Sequence, residues 1–187
     1  MDVTEATFED DVVERSRELP VVVDFWAAWC GPCRALTPVL EEQIAARDGS
    51  VALAKVDVDA NAGLAATYRV QGIPAVKAFR DGRVVSEFVG ALSPTAVSSF
   101  LDELLAPPRV AGVVAELHES GAYPEVLEAL EADDNERALD RILEAIADAS
   151  PEERERLREL ALAVFHDLGQ DDPLTVAYRR RLASVIY

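Results

Sequence analysis

Five residues, Trp29-Cys30-Gly31-Pro32-Cys33, hold both cysteines of the chain and stand between two stretches of different periodicity. Before them, Val21-Val22-Val23-Asp24-Phe25-Trp26 is a short, nearly continuous apolar run of the kind that forms a buried β-strand. After them, Leu36, Leu40 and Ile44 recur four apart and predict an amphipathic helix. Cys30 is therefore expected at a helix N-terminus. Free backbone N–H groups and the positive end of the helix dipole favour an anion there, so the Cys30 thiolate is stabilised over its thiol and becomes a nucleophile near neutral pH. Pro32 suits the first turn, where a missing N–H costs nothing, and Gly31 lets a substrate backbone pass close. Cys33, one turn further on, is placed to resolve a mixed disulfide on Cys30. Two thiols alone and this close predict a redox pair.

Two other uses of the cysteines are weaker. A zinc site normally takes four ligands, and the further candidates are His118 and His166, far away in sequence. No metal is expected. A purely structural disulfide would close a two-residue loop and remove little entropy from the unfolded chain.

With 187 residues, half of them hydrophobic, the chain can bury a substantial core and has room for a second, smaller domain. Met1-Asp2-Val3-Thr4-Glu5 has neither the basic start nor the apolar run of a signal peptide, and no stretch approaches the length of a membrane span. The expected compartment is a reducing cytoplasm. The net charge of −17 is shared, 17 acids against 9 bases in residues 1–105 and 18 against 9 in residues 106–187. Both halves should repel nucleic acid and anionic membrane.

Along the chain, a short extended start leads to Thr7-Phe8-Glu9-Asp10, where a threonine with an acid three residues on predicts a capped helix reaching about Arg17. Asp24 is the oddity of the central strand. It either faces water or, buried just upstream of the cysteines, has a raised pKa and takes the proton of Cys33 as that thiol attacks. Pro38 falls inside the following helix and should kink it. Val51 to Asp57 predicts a second, parallel strand, with Lys55 available to pair with Asp24 if the strands are neighbours. A short helix is expected at Leu64 to Tyr68, then a strand entered through Gly72-Ile73-Pro74-Ala75-Val76. Asp81-Gly82 turns it into Arg83 to Val89 as a hairpin, and Ser93-Pro94 starts a helix to about Leu105. The order βαβαβαββα predicts an α/β fold, a mixed sheet flanked by helices with the cysteines at the carboxyl end of a strand.

Over residues 3–105 these features resemble thioredoxin. The matching residues are Asp24-Phe25-Trp26-Ala27, Trp29-Cys30-Gly31-Pro32-Cys33, Pro38, Ala54-Lys55, Gly72-Ile73-Pro74, Phe79, Asp81-Gly82 and Gly90-Ala91. The resemblance implies a cis Ile73–Pro74 bond facing the cysteines, an Ile73 backbone that pairs with a substrate peptide, and Asp24 and Lys55 as a buried proton-handling pair. It also implies no bound cofactor, with electrons supplied by a thioredoxin reductase or a low-molecular-weight thiol. Lys77 and Ala75 depart from the family pattern, Lys77 at a strand position that is usually apolar.

Ala106-Pro107-Pro108 predicts a linker between a domain at 1–105 and a helical one at 109–187. Apolar stripes follow at Val110, Val113, Val114 and Leu117, at Val126, Leu127 and Leu130, at Leu139, Ile142, Leu143 and Ile146, and at Leu157, Leu160, Ala161 and Val164. Pro173 opens a last helix with Leu174, Tyr178, Leu182 and Val185 on one face. Such stripes are core packing first, and five short helices also build a helical-hairpin stack with a groove. Asp134 to Leu139, Val164 to Gly169, Asp172-Pro173-Leu174 and Tyr178 to Ala183 resemble the end of the chaperedoxins. Those are bacterial thioredoxin-like proteins with a tetratricopeptide-type domain that hold unfolding clients and pass them to the chaperonin. There is room for about one hairpin repeat plus a capping helix, and Lys77 is expected to meet the tail. The run Arg179-Arg180-Arg181 suits either a partner or the negative end of its helix.

Two functions from different classes are expected. One is a protein-disulfide reductase using Cys30, Cys33 and Asp24, and the other is a protein-binding chaperone or adaptor with auxiliary thiols. Client proteins, a thioredoxin reductase and the chaperonin are the expected partners. An isomerase or oxidase is disfavoured by the missing export signal.

Overall fold

In the computed structural model, which describes residues 1–186, Val21–Trp26 forms strand β1, with Val21, Val22, Val23 and Phe25 wholly buried, as an apolar run requires. Strand β2 (Ala52–Asp57) lies parallel on one side of it. Strand β3 (Ala75–Arg80) lies antiparallel on the other and pairs in turn with β4 (Arg83–Val89), giving the order β2-β1-β3-β4. Alternation along β1 sorts the core into two halves. Val22 packs with Leu36, Leu40 and Ile44 of helix α1 (Gly31–Ala45) and with Val97, Leu101 and Leu104 of helix α3 (Pro94–Leu105). Val21, Val23 and Phe25 pack on the opposite face with Phe8, Val12 and Leu64, the last from helix α2 (Ala62–Thr67). Helix α1 runs on through Pro38, and Ser93 caps α3 by accepting the Ala96 N–H.

Three details differ from expectation in this unit. Among the described residues the extended start contributes a single bridge, Asp2 to Lys55, in place of a strand. Thr7 does not cap the first helical segment, because its hydroxyl accepts the Thr4 N–H; the segment is wound wide over Glu9–Glu14 and tight over Arg15–Arg17. Lys77 does not await the tail: it sits directly across from Glu87 on β4 and forms an ion pair with it. Register supplies the partner that a buried ammonium needs.

The chain divides into the units Met1–Ala106 and Pro107–Tyr187, the boundary lying in the Ala106–Pro108 stretch. The second unit is helical: α4 (Arg109–Ser120), α5 (Pro124–Glu131), α6 (Asn135–Asp148), α7 (Pro151–Leu168) and α8 (Pro173–Ile186). Helices α6 and α7 pack on each other with α8 against both, and α4 and α5 add a second pair packed on α7 and α6 respectively. One core built on Leu117, Leu139, Ile142, Ile146, Leu157 and Phe165 joins them. Val185 falls off the expected face and is exposed, whereas Tyr178 and Leu182 are buried. Asp167 of α7 accepts the Arg109 and Val110 N–H groups at 3.0 and 2.8 Å, satisfying the first turn of α4. The arginine run is partly used inside the unit. Arg181 pairs with Asp140 at 2.8 Å and lies over the Tyr178 ring, and Arg179 lies over Phe165.

Candidate active site

Cys30 is the N-cap of α1, its backbone still extended, and its sulfur accepts the Cys33 N–H at 3.2 Å. The two cysteines are joined as a disulfide, so this is the oxidised form. Both are buried, 3% and 1% exposed, against Ala27 and the half-buried Trp26, Val58 and Ile73. The collar is apolar on the inside and open on the outside. Gly31 and Pro32 are exposed, and a Cβ added at Gly31 would meet nothing within 4 Å. Trp29 is 68% exposed, with its indole N–H donated to Asp59 Oδ2 at 2.8 Å. The Ile73–Pro74 peptide is cis, and Pro74 O accepts the Gly90 N–H at 2.8 Å, which ties this loop to the end of β4.

Asp24 lies on the α1 face of the sheet and is 0% exposed, so it is not a water-facing strand residue. Thr37, four residues beyond Cys33 and hence on the same face of α1, donates its hydroxyl to Asp24 Oδ2 at 2.8 Å. The other oxygen, Oδ1, is buried with no hydrogen-bond partner among the described residues. Burial pushes the Asp24 carboxyl up from 3.8 to about 6; the Thr37 hydrogen bond and the Lys55 charge pull it back, and the Glu41 charge pushes it further up. Lys55 is the register partner of Asp24, as neighbouring strands allow. Its ammonium nevertheless turns to Glu41 at 3.0 Å, one further turn along α1. Lys55 therefore acts on Asp24 through its field and not as a direct ion pair.

The sequence model of the thioredoxin family matches residues 1–103. The chain belongs to the thioredoxin family. Its thioredoxin unit is 43% identical over 103 residues to thioredoxin 1 of Synechococcus elongatus, which covers 55% of this chain and 94% of that relative. It is 42% identical over 102 residues to a thioredoxin of Pseudomonas aeruginosa, 54% of this chain and 93% of the relative. It is 46% identical over 98 residues to the mitochondrial thioredoxin of Mus musculus, covering 52% and 58%. A tetratricopeptide-repeat model matches residues 123–187. As a member of that family with its cysteine pair in place, the chain is a thiol-disulfide oxidoreductase that reduces protein disulfides.

Sequence inspection alone missed Thr37, Glu41 and Asp59. The first two carried a signal, because Cys33, Thr37 and Glu41 are spaced by four and so line one face of α1. Asp59 carried none. The two histidines bond to acids of the helical unit, His118 to Glu131 and His166 to Asp167. Among the described residues no group of three or more His, Cys, Asp and Glu side chains is placed to hold a metal, and no helix is long and apolar enough to cross a membrane.

Proposed function

We propose that this chain reduces disulfides in partly unfolded client proteins that its own helical unit holds. What supports this is the union in one chain of an oxidoreductase unit and a tetratricopeptide-like unit with a separate core. In the reductive half-cycle the Cys30 thiolate attacks one sulfur of a client disulfide, forming a mixed disulfide and releasing one client thiolate. The Ile73 backbone beside the cis-proline aligns the client strand as this happens. Cys33 then gives its proton to Asp24, attacks Cys30 Sγ, forms the Cys30–Cys33 disulfide and expels the second client thiolate. Two electrons have moved from the cysteine pair to the client. Two electrons and two protons from a thioredoxin reductase or a small thiol restore the dithiol. That demand sets the cycle in a reducing cytoplasm, with the chaperonin as the station that receives a held client.

The test compares the full chain, a Cys30→Ser/Cys33→Ser double variant and a chain ending at Ala106 in two assays, insulin reduction and suppression of thermal aggregation of a model client. The double variant is expected to suppress aggregation without reducing insulin, and the shortened chain to do the reverse. A full chain that leaves aggregation unchanged would reduce the protein to a reductase with a structural tail.

A further inference from the structure

Resting on Asp24 as the base for Cys33, we propose that Thr37 is a positioning residue for that proton transfer: its hydroxyl, given to Asp24 Oδ2, leaves Oδ1 to take the proton and favours the ionised carboxylate. A threonine inside a helix ordinarily turns its hydroxyl back to a carbonyl of its own preceding turn. Thr37 instead spends its only proton on Asp24, 13 residues earlier in the chain and on another element. An ionised carboxylate can only accept hydrogen bonds, so Thr37 must be the donor in the state that is ready to act as base. One oxygen is then engaged. The other, Oδ1, is buried and unpartnered among the described residues, so neither of its lone pairs is engaged.

Helix phase adds to this. Thr37 follows Cys33 by four residues, so the thiol that must lose a proton and the hydroxyl that orients its acceptor project from the same face of α1. The next position on that face, Glu41, is held by Lys55 and contributes no donor to Asp24. Thr37 therefore supplies the only hydrogen bond to the carboxylate among the described residues, and its contribution to Asp24 acts to lower the pKa against burial.

The proton leaving Cys33 Sγ ends on Asp24 Oδ1, and no bond to Thr37 is made or broken. Its effect should thus be visible as a change in when Asp24 is ready, without loss of the first step. Resolution of a mixed disulfide preformed on Cys30 is measured from pH 4.5 to 9 in the full chain and in Thr37→Val, Thr37→Ser, Asp24→Asn and Asp24→Asn/Thr37→Val. The titration of the Asp24 carboxyl carbon by NMR gives a readout independent of turnover. The lost partner is a hydrogen bond to a charged group, so Thr37→Val is expected to move the acid limb and the carbon titration up by roughly 1 to 2 pH units. At pH 7 that slows resolution by about two- to tenfold. Thr37→Ser restores the limb, and Thr37→Val adds nothing once Asp24 is Asn. A limb unmoved in Thr37→Val but abolished in Asp24→Asn overturns the role of Thr37 and leaves Asp24 as the base. A limb that survives in Asp24→Asn removes the base itself. A Thr37→Val effect that persists without Asp24 shows that Thr37 acts elsewhere and also overturns the proposal.

Discussion

The thioredoxin sheet buries two charged groups on opposite faces, and it treats them differently. Lys77, 9% exposed on the face packed by the N-terminal helical segment and α2, meets Glu87 directly across the strand pair. Asp24, on the α1 and α3 face, has a register partner of opposite charge in Lys55, but that ammonium is engaged by Glu41 and one carboxylate oxygen has no partner among the described residues. A buried charge that is matched is part of the packing. One that is left half satisfied costs stability, and here its one hydrogen-bond donor among the described residues is Thr37, one helical turn beyond Cys33, which is the arrangement the proposed proton transfer draws on.

The contrast is broken most completely at the thiols. Cys30→Ser removes the attacking sulfur and is expected to abolish insulin reduction, whereas Cys33→Ser keeps the attack and accumulates client mixed disulfides visible on non-reducing gels. Equal inactivity without trapped species would reverse or erase the two roles. At Asp24, a folded-state value of about 6 against an ordinary 3.8 means that the folded protein binds the extra proton between these pH values. Wild-type stability therefore falls as pH rises from about 4 to 6 and stays lower above, by about 3 kcal/mol in all for this fully buried group. Asp24→Asn lacks this penalty, so its stability relative to wild type should grow by that amount between pH 4 and pH 7.5 in urea titrations. A constant difference across pH would mean that Asp24 is not held neutral by burial. The smallest effect is expected on the matched side. Glu87→Gln leaves Lys77 without its counter-charge, but Glu87 is itself substantially exposed, so the loss should be about 1–2 kcal/mol. Insulin reduction per folded molecule should be unchanged. A reductase defect in Glu87→Gln would erase the distinction between the two faces.

Much of this was legible because it is local. An apolar run, a Cys-Gly-Pro-Cys turn and leucines four apart specify a strand, a capped turn and a helix within about 25 residues of chain, and each signal acts through backbone propensity and period. The Asp81-Gly82 hairpin and the Ser93 cap of α3 are local in the same sense. Thr7 shows the limit even there: the residue pattern of a cap was present, yet its hydroxyl accepted the Thr4 N–H instead. In the helical unit the stripes predicted the core well, and Val185 missed it at the end of the last helix, where the residues packed against the core run through Leu182 to Ile186.

The sequence by itself determined that a thiol pair stands at a helix N-terminus after a buried strand, that an acid interrupts that strand, and that a helical unit follows a proline-rich break. Only the tertiary structure decided who meets whom: Thr37 with Asp24, Glu41 with Lys55, Glu87 with Lys77, Trp29 with Asp59. These contacts bridge 10 to 30 residues of chain; the first three depend on strand register or on the rotation of α1 against the sheet, and the last joins the loop before α1 to the loop after β2. A slip of one residue between β3 and β4 would part Lys77 from Glu87, and a quarter turn of α1 would part Thr37 from Asp24 and Glu41 from Lys55, while every local signal stayed intact.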